Sequence, residues 1–308
     1  MSNQFTDVGY MSPEAYVDLI DKSIEVMWMR RDEAKSVLGV FFDQQTVASL
    51  STKMSSVGSA LPMPRESQDT EEMPVAIPAP GYDQSFTLVN YRLAIQVTDT
   101  MIKADRFGKI MGMTGGLVKA ADRRLEYLRA GIINGAFAST TGADGSYLCA
   151  DAHAEVNPNA ATWDNLGTGA LTGANLQALC LLAANMTDDV GCPDQREIKN
   201  LLVPTALRQK GLELTTATLT AETALNTPTV VIKGMNVVVS PHLTSATAYI
   251  GFAEAMGEEK GLLEFYLMKP SLANIGDETA DIPIRKRVKF IVKMGAHQGK
   301  SVYGSTGT

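Results

Sequence analysis

Cysteine and histidine are scarce in this sequence, and neither occurs in a metal-binding pattern. The 308 residues contain three cysteines, Cys149, Cys180 and Cys192, and three histidines. An odd number of widely spaced cysteines with no Cys-x-x-Cys is typical of free thiols in a reducing compartment. The histidines are far apart and show no metal-ligand spacing. We therefore expect no metal site, no cofactor and no disulfide framework.

The chain also lacks a long apolar run and an excess of basic residues. No stretch of about 18 apolar residues occurs, so we expect no membrane-spanning helix. The polar first residues lack the basic-then-apolar order of an export signal. The formal net charge is -7, whereas proteins that hold DNA tightly usually have a basic surface, because their affinity comes from neutralised phosphates. Any contact with nucleic acid should be loose or confined to a local patch.

Catalytic motifs are incomplete. The stretch "GAHQGKS" at 295–301 ends like a phosphate-binding loop. However, only three residues separate Gly295 from Gly299, and four are needed for the backbone N–H groups to wrap a phosphate. "VVVSPHL" places Ser240 and His242 at a strand end without the Gly-x-Ser-x-Gly turn of a hydrolase. We assign no catalytic residue, although an intracellular α/β hydrolase that uses Ser240 and His242 stays as one alternative.

What the chain does have is an ordered series of helical and strand patterns. Apolar residues at helical spacing predict a helix over 12–31, either docked on a core or laid on a neighbouring subunit. Alternating residues on both sides of a proline-rich stretch predict a long hairpin over 46–97. Spacings of three and four over 99–137 predict a helix of up to about 30 residues, with Leu117, Ala121 and Leu125 on its apolar face and Arg129 among the charged residues that mostly cover the other face. Residues 138–171 have no period and predict a loop-rich crossing.

The rest of the chain predicts an α/β lobe and one returning strand. Thr172 is placed to cap a helix. "RKRVKFIVKMG" at 285–295 alternates basic and apolar residues, which predicts a half-buried strand with a positive solvent face. Four further strands are predicted at 198–204, 235–241, 247–253 and 262–267. The combination predicts the α+β class.

Taken in order, these elements resemble a tailed-bacteriophage major capsid protein with the HK97-type fold, in the branch that includes the Mu-like heads. Four local stretches are similar to that family, and the resemblance covers nearly all of the chain from about residue 12. They are "DGSYLCADAH" (144–153), "LTGANLQAL" (171–179), "NLLVPTALRQKG" (200–211) and "IKGMNVVVSPHL" (232–243).

The resemblance implies five segments. The central three are the E-loop hairpin, the peripheral domain (P-domain) with its long spine helix, and the axial domain (A-domain). Their expected bounds are 1–45 for the N-terminal arm, 46–97 for the E-loop hairpin, 98–159 for the P-domain with the spine helix, 160–265 for the A-domain, and 266–308 for returning P-domain strands and the C-terminus.

The same resemblance implies a structural role and no enzyme activity. The subunit would form hexamers and pentamers of an icosahedral head around double-stranded DNA, after synthesis in the host cytoplasm. A separate scaffolding protein, a portal and decoration proteins are the implied partners, with weak non-specific contact to DNA and none to a membrane. Lys53 and Lys103 flank the hairpin, but nothing marks either as a cross-linking residue. An encapsulin-like shell around a protein cargo is the main alternative.

Three groups of residues are expected to matter for assembly. The hairpin tip, "LPMPRESQDTEEMPVAIPAPG" at 61–81, contains five prolines, which cannot donate to a strand ladder, so we expect it to dock on a neighbouring subunit. Three glycines inside the long helix each cost about 1 kcal/mol relative to alanine and predict a bend that changes when the shell expands. A basic strip near the C-terminus is expected to meet a neighbour's carboxylates or packaged DNA. The residues are Arg65, Glu66, Asp69, Glu71 and Glu72 at the tip, Gly112, Gly115 and Gly116 at the bend, and Lys289, Lys293 and Lys300 in the strip.

Overall fold

A computed structural model describes most of the chain, and its residues form two units. The first unit comprises Met1–Ser36, Val89–Leu125 and Tyr266–Val292, and the second comprises Val37–Leu88, Glu126–Phe265 and Lys293–Thr308. No helix in the described part is long and apolar enough to cross a membrane. The described residues are 22–26, 28–29, 36–58, 80–98, 100, 104, 109–156, 162–188, 190–216, 234–254, 261–275 and 284–308.

The described residues form helices and strands in the proportions of an α+β protein. The helices whose bounds are described are α1 (Lys109–Asn134), α2 (Gly173–Ala184) and α3 (Arg208–Thr216), and residues 22–26 and 28–29 are also helical. The strands are β1 (Phe42–Thr46), β2 (Ser51–Val57), β3 (Pro80–Thr87), β4 (Val89–Val97), β5 (Leu166–Gly167), β6 (Glu197–Pro204), β7 (Asn236–Ser240), β8 (Tyr249–Glu254), β9 (Leu262–Asn274), β10 (Ile284–Ala296) and β11 (Val302–Ser305). They form three sheets, with strand orders β1-β9-β10-β4, β5-β11-β8-β6-β7 and β2-β3.

Helix α1 confirms the long helix expected from the sequence. It has 26 residues, about 39 Å at 1.5 Å per residue. Leu117, Ala121 and Leu125 of the predicted apolar stripe are buried. Arg129, which the pattern placed on the polar face, is also buried, and its guanidinium forms an ion pair with Glu264, with Nη2 at 2.9 Å from Oε2. The prediction for Arg129 was therefore wrong, because helical spacing cannot reveal a carboxylate 135 residues later in the chain.

The pairing of β4 corrects the predicted hairpin. Residues 89–97 were expected to be its return strand, but β4 instead pairs antiparallel with β10, from Ile284 opposite Val97 to Val292 opposite Val89. The strand that returns along β2 is β3, with Ser51 opposite Thr87. Alternation of period two shows which face a strand buries and gives no information on its partner.

One face of the β4–β10 pair is apolar, and its residues on β10 are buried. Val288, Phe290 and Val292 are buried there, and the ring of Phe290 stacks on Tyr91 at 5.3 Å between centroids. Lys286 lies on the same face and is also buried, with its ammonium 3.6 Å from a carboxylate oxygen of Glu25. The basic residues that alternate with these apolar ones lie on the opposite face, as the sequence predicted.

The second unit is built on α2 and the five-stranded sheet. Thr172 accepts a hydrogen bond from Asn175 N and caps α2 as predicted, because this satisfies one of the free N–H groups at the helix start. Leu176 and Leu179 of α2 pack with Leu201 and Val203 of β6. Burial of each such side chain contributes about 1.5–3 kcal/mol.

Candidate functional site

The β2–β3 hairpin contacts the rest of its unit at three residues along β3, from Phe86 near its base to Tyr82 near its tip end. The Tyr82 hydroxyl donates to Glu155 O at 3.0 Å, and Gln84 Nε2 donates to Thr141 O at 3.5 Å. The Phe86 ring lies 5.0 Å from that of Phe265. Burial and nearby carboxylates raise the pKa of Tyr82, which keeps its hydroxyl protonated as a donor. Because β2 and β3 form a separate two-stranded sheet, which alone is marginally stable in water, these contacts fix the direction in which it projects.

Gly295 explains how Phe86 reaches the core. A Cβ at Gly295 would overlap the Phe86 ring, so only glycine leaves room for it. Gly295 lies within β10, so its absent side chain serves close packing and makes no turn.

A buried polar cluster lies close to the chain segment that Tyr82 contacts. Asn165 Nδ2 faces the carbonyl oxygens of Leu148, Gly299 and Val302 at 2.8, 3.1 and 2.8 Å. Its Oδ1 accepts from Ala150 N at 2.9 Å. This side chain is wholly buried and joins three separate segments of the chain, so it holds the loop around 148–150 to the C-terminal segment.

His153 extends this cluster to a carboxylate. Its Nδ1 lies 2.7 Å from Asp144 Oδ2, and its Nε2 lies 3.1 Å from Asn165 Oδ1. The ring also stacks on Trp163, with centroids 3.9 Å apart and planes 9° apart. Both ring nitrogens therefore lie within hydrogen-bond distance of a side-chain oxygen. Nothing in the sequence marked Asn165 as a contact residue, and nothing linked Asp144 and His153 to each other in space.

Lys300, in the stretch "GAHQGKS", contacts residues next to the Asn165–His153 cluster. Its ammonium lies 2.7 Å from Glu155 Oε1 and 3.0 Å from Thr187 O, and 5.7 Å from the centroid of the Trp163 ring. Gly299–Ser301 forms one turn of 3-10 helix that leads into β11. The stretch therefore opens no α-helix whose N-terminus holds an anion.

A cleft of about 140 Å³ borders this cluster. Its charged lining is paired within the chain, because Lys300 contacts Glu155 and Arg196 contacts Asp194 at 2.6 Å. Among the described residues, no group of three or more His, Cys, Asp and Glu side chains is arranged to hold a metal ion. These contacts hold segments of one chain together, so the cluster acts as an internal brace. Because Lys300 pairs with Glu155, it does not belong to the basic strip predicted with Lys289 and Lys293.

Lys289 and Lys293 lie on β10, where Lys293 is exposed and Lys289 half-buried. On the same face, the register places Arg285 and Arg287 before them and sets Arg92 of β4 directly opposite Lys289. This larger basic face was only partly visible in the sequence, because Arg92 lies almost 200 positions before its neighbour.

The geometry does not support a hydrolase at Ser240. The side chain is buried, and its Oγ accepts a hydrogen bond from His242 N at 3.3 Å. A nucleophile needs a general base within hydrogen-bond reach of its hydroxyl and access to substrate. Here the neighbouring group is a backbone N–H, which cannot accept a proton.

The structure leaves the remaining site predictions open. Gly112, Gly115 and Gly116 lie within α1, whose helical backbone runs unbroken from Lys109 to Asn134. An added Cβ at Gly116 would meet no atom within 4 Å. The five charged residues of the hairpin tip lie outside the described residues, namely Arg65, Glu66, Asp69, Glu71 and Glu72.

Comparison with known proteins gives one consistent result. A family model described as phage capsid protein matches residues 81–293, more than two thirds of the chain. No curated protein matches it in sequence. The chain has the fold of the capsid structure of cyanophage P-SCSP1u, with a TM-score of 0.53 and 13% identity over 86% of each chain.

Two structures from mycobacteriophages show the same fold. The one from Mycobacterium phage Patience has a TM-score of 0.53 and 12% identity over 97% of this chain and 89% of that one. The one from Mycobacterium phage Bobi has a TM-score of 0.51 and 11% identity over 88% of this chain and 90% of that one. At sequence identities this low, the structural similarity shows a shared fold and nothing more.

Proposed function

Since this chain belongs to the phage capsid protein family and is a structural subunit of a viral capsid, we propose that it is the major subunit of an icosahedral head. Hexamers and pentamers of the chain form the shell, and double-stranded DNA fills it. The subunit is made in the host cytoplasm before assembly. A scaffolding protein, a portal and decoration proteins complete the head.

One observation supports this proposal beyond family membership. The β2–β3 hairpin contacts its own unit through Tyr82, Gln84 and Phe86 of β3, and Phe86 is the one buried side chain between Pro80 and Thr87. A two-stranded sheet with so little burial needs a surface to lie on. A neighbouring copy of the chain supplies that surface in a closed shell.

The acidic balance of the chain suits a container for DNA. A strongly basic wall would hold DNA by counterion release and oppose its movement into and out of the head. With a net charge of -7, the subunit repels DNA weakly on average, and salt screens that repulsion within about 8–10 Å. DNA contact is then limited to local basic groups.

The test is expression of the chain with and without the other head genes, followed by electron microscopy and analysis of particle contents. Closed shells that contain DNA after packaging support the proposal. Shells loaded with a single protein would instead indicate a cargo compartment. A soluble monomer that never forms capsomers would contradict the proposal.

The glycines of α1 give a second test of head function. We propose that the helix bends near Gly112–Gly116 before expansion, and alanine at Gly116 opposes this because it favours a regular helix by about 1 kcal/mol. Gly131→Ala is the control, because Gly131 is also exposed in α1 and an added Cβ meets nothing within 4 Å. Gly116→Ala should alter expansion where Gly131→Ala does not. Equal expansion of both variants would disprove the bend.

A further inference from the structure

The cleft beside the Asn165–His153 cluster lies wholly within the second unit, and its size suits a small organic ligand. Its lining includes Ser56 of β2, Tyr82 of β3 and Trp163. Its volume of about 140 Å³ is close to the ~150 Å³ of a cavity that admits benzene, and well below the ~300 Å³ of the smallest pockets for drug-sized ligands. The cleft therefore has room for a molecule of about the size of benzene.

Carboxylates outnumber cations in the described lining of this cleft. Four carboxylates and two cations leave an excess of two negative charges when His297 is neutral. Both cations are already paired with carboxylates of the same lining, at 2.6 and 2.7 Å. An anionic ligand would have to displace these carboxylates, so the lining favours a cation. The carboxylates are Asp144, Glu155, Asp188 and Asp194, and the cations are Arg196 and Lys300.

Asp188 has the carboxylate oxygen that a cationic ligand needs. Its Oδ1 accepts hydrogen bonds from Val190 N at 3.0 Å and Cys192 N at 2.8 Å. Within the part of the chain that the structure describes, its Oδ2 accepts no hydrogen bond and has no cation at ion-pair distance. Hydrogen bonds between two charged groups are among the strongest in proteins, so Oδ2 is a good acceptor for an ammonium.

The wall next to Asp188 already holds one ammonium. Lys300 Nζ lies 3.0 Å from Thr187 O and 5.7 Å from the centroid of the Trp163 ring, within the ~6 Å range of cation–π attraction. A backbone carbonyl, carboxylates and an aromatic ring are thus the groups that surround an ammonium here. A metal ion is disfavoured, because no three His, Cys, Asp or Glu side chains of the described residues are arranged to hold one.

A buried hydroxyl near the same cleft indicates a second donor on the ligand. The side chain of Tyr303 is wholly buried, and its hydroxyl has no hydrogen-bond partner among the described residues. Arg196 and Asp194, which both line the cleft, are the charged residues that act on this hydroxyl. Buried polar groups are nearly always hydrogen-bonded. A ligand with a donor at each end supplies one donor to Asp188 and one on the side of Asp194 and Tyr303.

We propose that the cleft binds a small aliphatic diamine, with one ammonium on Asp188 and the other on the side of Asp194 and Tyr303. Aliphatic amines are protonated at neutral pH, as the lysine side chain is. A four-carbon diamine has about as many heavy atoms as benzene, so it fits a cleft of this volume. All of these residues belong to one unit of one subunit, so the inference does not depend on the proposed shell.

Titration calorimetry of the purified chain with putrescine, a four-carbon diamine, tests this proposal. Putrescine should bind saturably, with one molecule per chain, and more tightly than butylamine, which has a single ammonium. Succinate, a dianion of similar length, and Mg²⁺ should both bind more weakly than putrescine.

Asp188→Asn is the variant that removes the charge alone. The asparagine Oδ1 still accepts from Val190 N and Cys192 N, so the fold is kept, and circular dichroism melting checks this. Loss of a hydrogen bond between charged groups should weaken putrescine binding about tenfold or more. The matched control is Asp151→Asn, which changes an exposed aspartate outside the cleft lining and should leave binding unchanged. Tyr303→Phe, which removes only the hydroxyl, should narrow the difference in affinity between putrescine and butylamine.

Four results would overturn the inference. Absence of saturable putrescine binding, or equal affinity of Asp188→Asn and Asp151→Asn, would show that the cleft is not an amine site. Tighter binding of succinate or Mg²⁺ than of putrescine would assign it to an anion or a metal ion. Tighter binding of N-acetyl-lysine amide than of putrescine would assign it to a lysine side chain of a partner protein. An unchanged difference between putrescine and butylamine in Tyr303→Phe would refute the placement of the second ammonium.

Discussion

Replacement of Asn165 by alanine should severely destabilise the second unit. The side chain is wholly buried and accepts from Ala150 N at 2.9 Å, with His153 Nε2 at 3.1 Å from the same oxygen. Alanine leaves these two buried donors without their acceptor, at about 1–3 kcal/mol each, so the expected loss is about 2–6 kcal/mol. Typical domains have only 5–15 kcal/mol of stability. The change should therefore remove a large part of it.

Urea unfolding of the dissociated subunit measures this loss. Tryptophan fluorescence is a suitable signal, because Trp163 stacks on His153 within the cluster. The matched control is Asn236→Ala, since Asn236 is exposed and its amide donates to the Asn200 Oδ1 atom at 3.1 Å. Its effect should be within about 0.5 kcal/mol. If Asn165→Ala falls within 1 kcal/mol of this control, the cluster is not the brace described above.

Two further predictions concern the hairpin base and the thiols. Gly295→Ala should destabilise the subunit by about 1–3 kcal/mol, because the new methyl group overlaps the Phe86 ring, and thermal unfolding measures the change; an unchanged melting temperature would contradict this packing. Burial raises the pKa of Cys149 strongly and that of Cys180 to about 11, so at pH 8 a thiol reagent should label the half-buried Cys192 first, as mass spectrometry of the labelled native subunit would show. Equal labelling of all three in the folded subunit would contradict the burial.

Secondary structure with a strong local pattern could be predicted from the sequence. The apolar spacing of α1 and the Thr172 cap of α2 each depend on residues within a few positions of one another, so the chain itself displays them. The same holds for the alternation of β10, whose basic and apolar residues occupy opposite faces as expected.

Strand partners could not be predicted in the same way. Residues 89–97 alternate as a hairpin strand would, yet β4 pairs with β10, which begins almost 190 residues later. The alternation is compatible with any antiparallel neighbour. The choice between β2 and β10 depends on packing of the whole unit, which no local window contains.

Buried polar contacts could not be predicted from the sequence either. Arg129 looked like a solvent-facing helix residue, and Glu264 looked like one polar residue in an apolar strand. In the structure they are buried together, with hydrogen bonds of 2.9–3.3 Å. Each charge is tolerable only because the other is present. Single residues of this kind carry no sequence signal until the fold brings them together.

The prediction for Lys300 shows the same effect. Its position near two other lysines suggested a basic strip, but its ammonium pairs with Glu155, 145 residues earlier. Residue type and local spacing therefore identified Lys300 as a cation, but they could not identify Glu155 as the carboxylate that pairs with it.

Electron microscopy of the purified, expressed chain is the most direct test of the central claim. The account predicts closed icosahedral shells, or rings of five and six subunits, in which the β2–β3 hairpin of each copy lies on the next. A reconstruction in which the hairpin contacts no neighbour, or a protein that stays monomeric at every concentration, would contradict it.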